Sequence, residues 1–281
     1  MGAVARSGGS WQSERDRIAH ECEGIRSEVS TQVRAAMVAA GLPAATNPPL
    51  VDRWYDTWID KAADEQWYLS LADDERGSFV RVEGLPELAA AARTDRPVLL
   101  VGAHLHAHTV GPVHLDFLGL RQTILVHEAM LPVMRHYGLR NSTWTTPGRG
   151  FSLSLRAARD QGGLFVSYAD VGVDGLPLLP GPDEESAPAP VPRMVSLARA
   201  QVFTWRVTPE DGTGGRRLLL RLRRRAPWEA GERSADEPRA WVRRSLLARP
   251  ETWMLWRQVR TTASRPLSLR WPGTGDASVA S

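Results

Sequence analysis

Between Pro97 and Val207, four short apolar runs alternate with stretches of helical periodicity, and this alternation narrows the possible folds more than any other feature. The runs are PVLLVGAH at 97–104, QTILVHE at 122–128, GLFVSYAD at 163–170 and QVFTWRV at 201–207. Amphipathic stretches near 110–119, 131–139, 151–161 and 191–200 separate them, as helical crossovers between parallel strands would. The reading is an α/β fold with a mostly parallel central sheet flanked by helices on both faces. In such sheets the working residues gather at the carboxyl ends of the strands.

Upstream, Ile18, Cys22, Ile25, Val29, Val33 and Met37 recur at three- and four-residue steps, which predicts a helix from Trp11 that ends at Gly41 and Pro43. A second helix follows Pro49, with Trp54 and Trp58 one turn apart and the pattern continuing to Trp67 and Leu71. Residues 1–10, rich in Gly and Ser, read as a disordered N-terminus, 11–75 as N-terminal helices packed on the core, 76–265 as the α/β domain and 266–281 as a C-terminal tail. The Pro- and acid-rich LPLLPGPDEESAPAPVP at 176–192 reads as a long loop. RRLLLRLRRR at 216–225 reads as an exposed strand, either an edge guarded by charge or a dock for an acidic carrier protein or anionic membrane surface. A final helix from about Pro238 should reach Trp253 and Trp256.

Composition excludes several classes. A chain of 281 residues, 42% hydrophobic, can bury a full core. Its single cysteine, Cys22, rules out an internal disulfide, and no Cys/His pair has zinc-finger spacing, so a cytoplasmic location is expected. No apolar run approaches the length of a membrane span or a signal-peptide core. Net charge is +3, and Lys61 is the only lysine among 35 basic residues. That arginine bias suits carboxylate or phosphate recognition, yet it also follows from GC-rich coding. No cofactor motif, metal site or nucleic-acid partner is expected.

The chemistry concentrates in VGAHLHAHTVGP at 101–112, where an apolar strand runs into His104, His106 and His108. If strand geometry persists, the three share one face. Histidines so placed suit general-base work, and the spacing is faintly similar to the His-x-His motif of metallo-hydrolases, without the Asp-His that follows there. Satisfied structural histidines are the remaining reading.

RVEGLPELAAAARTDRPVLLVGAHLHAHTVGP resembles the lysophospholipid acyltransferase superfamily, in its lipid A and phosphatidylinositol mannoside acyltransferase branch, where a strand ends in a histidine followed after four residues by Asp or Glu. The similarity continues through Arg135 to Gly138 (RHYG), through GRGFSLSLRAARDQGGLFVSYADV with Asp170 at its strand end, and through RPETWMLWRQV with Pro250 and Trp253 in the places of a closing Pro-x-x-Trp helix. It covers roughly residues 78 to 262, and the order and spacing of the motifs carry it. It implies a glycerol-3-phosphate acyltransferase-like fold in which His104 takes a proton from an acceptor hydroxyl as that oxygen attacks an acyl thioester. It also places Arg135, Arg140 and Arg149 near donor or acceptor phosphate.

Where the family has its acid, this chain has Thr109, which cannot support an imidazolium as a carboxylate does. A surrogate is required: Glu128 or Asp170, each at a strand end, less so Asp116, or else His106 or His108 in place of His104. The family's frequent N-terminal membrane anchor is not seen. The expectation is therefore an acyltransferase-like enzyme in specialised metabolism, using an acyl chain on acyl carrier protein or coenzyme A and a soluble small-molecule acceptor. Alternatives are a peripheral glycolipid acyltransferase at the cytoplasmic membrane face and an inactive protein that binds an acyl chain or carrier.

Overall fold

The computed structural model describes residues 9–42, 47–146, 163–171, 177, 199–212, 215–225 and 237–259. The expected helix at 151–161, most of that expected at 191–200, most of the loop at 176–192, the C-terminal tail at 266–281, and Arg149 lie outside the described residues.

Three long helices come first. Helix α1 (Trp11–Cys22) starts where the Ser10 hydroxyl accepts the Ser13 amide at 3.2 Å, satisfying an otherwise unpaired first-turn donor. A 3-10 turn (Glu23–Ile25) separates it from α2 (Arg26–Ala39), so the single helix expected from Trp11 is two. Gly41, at φ +75, ends the pair in the left-handed conformation that glycine tolerates. Helix α3 (Pro48–Ser70) opens on two prolines, whose missing N–H groups cost nothing in a first turn. Its buried stripe holds Trp54, Trp58 and Tyr68, with Trp54 and Trp58 stacked at 6.1 Å.

The sheet follows, with strands β1 (Val80–Glu83), β2 (Val98–Gly102), β3 (Gln122–Leu125), β4 (Thr143–Thr145), β5 (Leu164–Tyr168), β6 (Gln201–Gly212) and β7 (Gly215–Arg224). Helix α4 (Asp73–Phe79) leads into β1, helices α5 (Leu85–Ala91), α6 (Val110–Phe117) and α7 (Leu131–Arg135) fall between the strands, and α8 (Glu237–Ala248) comes last. Spatial order is β1-β7-β6-β2-β5-β3-β4. Every pairing is parallel except β6 with β7. The fold is thus α/β with a mostly parallel seven-stranded sheet flanked by helices and an N-terminal helical segment, as the alternation required.

All five residues of β2 are buried, as befits a central strand covered on both faces. Leu99 and Val101 pack into the layer formed with α1, α2, α3 and Trp253–Trp256. Val98 and Leu100 enter the opposite layer with α5, α6 and Trp205. Gly102 exists for close approach: a Cβ there would lie 2.4 Å from the Trp205 ring.

Two expectations fail here. RRLLLRLRRR is not an edge: β7 pairs with both β1 and β6, and Leu218, Leu220 and Leu222 fill one core layer, so its alternation marks an internal strand with one apolar face. The last helix ends at Ala248. Trp253 itself is extended, between 3-10 turns at Pro250–Thr252 and Met254–Gln258, and bridges to Leu105.

Candidate active site

Strands β2 and β5 run parallel in the register Gly102↔Tyr168. Continuing both by two residues sets His104 level with Asp170, at the carboxyl edge of the sheet. The Ala169 amide donates to the Gly102 carbonyl at 2.8 Å and carries the pairing past the strand ends. Asp170 is fully buried. Its Oδ1 lies 2.9 Å from His104 Nδ1, while Oδ2 accepts the His104 amide at 2.7 Å and the Trp253 indole N–H at 2.8 Å. An ionised carboxylate only accepts, so Nδ1 carries the imidazole proton and Nε2 keeps a lone pair. Trp253 is fixed in turn by its own carbonyl, which accepts the Trp54 indole N–H at 2.7 Å.

The three histidines do not share a face. His106 has φ +44, a left-handed conformation rare for a residue with a Cβ, and this ends the strand alternation. Its ring turns into the interior, where Nε2 lies 2.8 Å from Asp64 Oδ2. Asp64 also accepts from Arg216 at 2.9 and 3.0 Å and from the Trp11 indole at 2.9 Å. Burial pushes the Asp64 carboxyl up, but His106 and Arg216 outweigh it and hold the group below its usual range. His106 is therefore a buried link between α3, β7 and the site loop, not a face-sharing partner of His104.

His108 does return to His104, with ring centroids 4.6 Å apart, and Tyr168 stacks on His104 at 4.3 Å. Burial first, then the neighbouring His104 and Lys61, press His108 well below its ordinary value, so it is neutral. Its Nδ1 donates to the His106 carbonyl at 3.1 Å, which leaves Nε2 as a second acceptor beside His104. Burial raises the Tyr168 hydroxyl, and the Asp170 and Glu65 charges add to this, so it keeps its proton.

Thr109 is buried and hydrogen-bonds the Tyr137 hydroxyl, which also reaches Glu65 Oε2 at 3.4 Å. Glu65 takes the buried Lys61 ammonium at 2.6 Å on the same oxygen, while its Oε1 has no hydrogen-bond partner. The position expected to hold an acid thus belongs to a buried polar chain running back into α3.

Glu128 is exposed in a 3-10 turn after β3. Asp116 accepts the Arg140 and Asn141 amides at 2.6 and 2.9 Å, a role in shaping the loop before β4. Arg140 directs its guanidinium to Asp73 on α4 at 2.8 and 3.1 Å, and Arg135 is exposed at the end of α7. Of the candidate acids, the structure joins only Asp170 to His104. Among the described residues no group of three or more His, Cys, Asp or Glu is arranged to hold a metal ion.

Sequence reading missed the charged residues of α3. Positions 54, 58, 61, 65 and 68 keep helical spacing, so Lys61 and Glu65 fall on the stripe that Trp54, Trp58 and Tyr68 bury. Charges on an apolar stripe were the available signal. No known protein family matches the chain, and no curated protein sequence matches it.

Proposed function

We propose that the protein is an acyltransferase-like enzyme that moves an acyl chain from a thioester, on acyl carrier protein or coenzyme A, to a small soluble acceptor in specialised metabolism. The observation that carries this reading is the His104–Asp170 pair at adjacent parallel strand ends. It supplies the oriented, carboxylate-backed imidazole that the resemblance requires, with the acid from β5 in place of position 109.

In this reading His104 Nε2 takes the proton of an acceptor O–H or N–H as that atom attacks the thioester carbonyl. The tetrahedral intermediate collapses with cleavage of the C–S bond, and the imidazolium returns the proton to the departing thiolate. Asp170, wholly buried and filled with donors, stabilises the imidazolium without itself taking a proton. Neutral His108 and the stacked Tyr168 ring hold the imidazole plane from two sides.

No described helix is long and apolar enough to cross a membrane. A cytoplasmic site of action, free or at the membrane face, belongs to the same proposal. The test is thiol release from acyl-coenzyme A and acyl-carrier protein by purified protein, with and without a panel of alcohols and amines. Release that requires His104 and Asp170 and survives chelator supports the reading. Release that chelator abolishes and zinc restores overturns it.

A further inference from the structure

His106 stands at φ +44, in the left-handed region that a residue with a Cβ adopts only at a cost. The turn it makes brings the chain back onto His104. The His108 amide donates to the His106 carbonyl at 2.8 Å, and His108 Nδ1 donates to the same oxygen at 3.1 Å. That sets the His108 ring edge to face against His104, with centroids 4.6 Å apart. The closing segment clamps the turn: the Thr252 carbonyl accepts the His106 amide, and the Met254 amide donates to the His104 carbonyl, both at 2.8 Å. Both Nδ1 atoms therefore carry protons, one given to Asp170 and one to a backbone carbonyl, and both Nε2 atoms keep lone pairs.

Neither lone pair has a hydrogen-bond partner among the described residues, and the Tyr168 hydroxyl has none either. The Tyr168 ring is stacked on His104 at 4.3 Å and lies edge to face with His108 at 5.9 Å and with Trp205 at 5.6 Å. Burial, then the Asp170 and Glu65 charges, keep the proton on its oxygen, so it is a donor. His104, His108 and Tyr168 are all partly exposed, so none is sealed from a ligand. Two adjacent acceptors and one donor complement a group with two hydrogens on one atom beside an acceptor oxygen. With hydrogen bonds of about 2.9 Å, one nitrogen spans acceptors up to ~6 Å apart, a reach that suits two imidazoles whose centroids are 4.6 Å apart.

We propose that the acceptor is a primary amine, with one hydrogen on His104 Nε2 and the other on His108 Nε2, and that Tyr168 donates to the thioester carbonyl oxygen, so that the product is an amide. This assignment rests on the proposed function. The amine lone pair forms the C–N bond, and the carbonyl pair moves to the oxygen that Tyr168 binds. One N–H proton passes to His104 Nε2. The C–S bond breaks with its electron pair on sulfur, which takes that proton and leaves as the thiol. The second N–H stays on the amide, still donated to His108. An alcohol has a single hydrogen and leaves one imidazole acceptor unanswered, a loss that a site of this kind penalises steeply. Water has two hydrogens and the same fit, so hydrolysis is the reaction that competes.

The probes are O-methylhydroxylamine, N,O-dimethylhydroxylamine and methanol, each given to the full chain with acyl-coenzyme A. The two amines are uncharged near neutral pH and differ by one N–H. Thiol release and acyl product are measured together and divided by the uncatalysed rates. O-methylhydroxylamine should react roughly tenfold or more faster than the other two. His108→Phe keeps an aromatic ring and removes the lone pair, so the ratio between the two amines should collapse toward one, whereas a merely steric preference would persist. Tyr168→Phe removes only the hydroxyl, so kcat should fall by about 10²–10³ with the ratio intact. Without donor, O-methylhydroxylamine should shift the Nε2 resonances of both His104 and His108 in imidazole nitrogen NMR of the wild type, a readout that needs no variant to fold.

Thiol release that requires His104 but runs equally fast with the two amines overturns the amine acceptor and leaves acyl transfer standing. Release that yields free acid with every probe overturns both. No release from any donor, with both Nε2 resonances shifted by O-methylhydroxylamine, removes the thioester and keeps the amine site. A His108 resonance that does not move overturns that site, and full kcat in Tyr168→Phe removes the hydroxyl from the carbonyl oxygen.

Discussion

Asp170 Oδ1 lies 2.9 Å from His104 Nδ1 although 66 residues separate the two in the chain, because β2 and β5 pair in parallel and both residues stand two positions past the paired strand ends. Asp170→Asn keeps the shape and presents either an amide oxygen or an amide N–H to Nδ1. In either case the imidazolium loses its charge partner. Turnover should fall by about 10²–10⁴ for both Asp170→Asn and His104→Ala, with substrate binding nearly unchanged, since the loss falls on the transition state. Steady-state kinetics of thiol release separate kcat from KM. A variant at either position with full turnover would remove His104 as the base.

Restoring an acid at position 109 should not help. Thr109 is buried against Tyr137, which already touches Glu65. A glutamate there would bring a second carboxylate into the Lys61–Glu65 chain, while Nδ1 of His104 is already occupied. Thr109→Glu should unfold at lower denaturant than wild type and gain no activity. Thr109→Val, which removes only the hydroxyl, should cost about 1 kcal/mol in urea unfolding.

The sheet was legible in the sequence because apolar runs report burial directly: β2, β3, β5 and β6 all begin within the predicted runs. Strands β1 and β4, only four and three residues long, carry too little pattern to be read, and β1 follows a short helix. Asp170 was legible as one of several acids at strand ends. The register that selects it over Glu128 depends on which strands are neighbours, and spatial order is not written in any one segment. The divergence of His106 was not legible, since its left-handed backbone is held by Asp64 and Arg216 from distant parts of the chain. RRLLLRLRRR misled because its charge suggested an edge, whereas charge on one face is equally compatible with an internal strand.

The buried Asp64 should be a stability centre. Asp64→Ala removes the buried carboxylate that the His106 ring, the Trp11 indole and the Arg216 guanidinium share, and breaking such a buried pair costs about 3–5 kcal/mol. His106→Asn, which tolerates positive φ and can still hydrogen-bond, should cost less than His106→Ala. Urea denaturation of the three variants gives the order directly, and His106→Ala more stable than His106→Asn would refute the backbone argument.

Acid should weaken the fold through His114. Burial, ahead of the Arg76 charge, lowers His114 from 6.5 to about 4, and its Nδ1 lies 3.1 Å from the Tyr68 hydroxyl. Neutral His114 accepts that hydroxyl. A histidine depressed in the folded state is protonated in the unfolded chain first, so the unfolded state binds more protons over this interval and stability falls as the pH is lowered. The contribution is intact above about pH 6.5 and lost progressively toward pH 4. His114→Gln keeps an acceptor for Tyr68 without a titrating ring. Its melting temperature should fall less steeply between these pH values than that of the wild type, and parallel slopes would assign the acid sensitivity to other groups.

Gly102 lies at the end of β2, two residues before His104, and a Cβ there would meet the Trp205 ring at 2.4 Å; at Gly111, the second residue of α6, the same ring would be 2.8 Å away. Tyr168 lies edge-on to Trp205 at 5.6 Å, and Tyr168 stacks on His104. Gly102→Ala must therefore push Trp205 into Tyr168, or push the strand end away from it. Overpacking of this kind costs about 1–3 kcal/mol. The displacement should also reach the His104 ring, so turnover should drop more than stability explains. Gly111→Ala presses on the same ring from the helix side and should destabilise comparably with less loss of turnover. Equal losses of activity in the two variants, after matching them for folded fraction, would show that Trp205 does not transmit strain to His104.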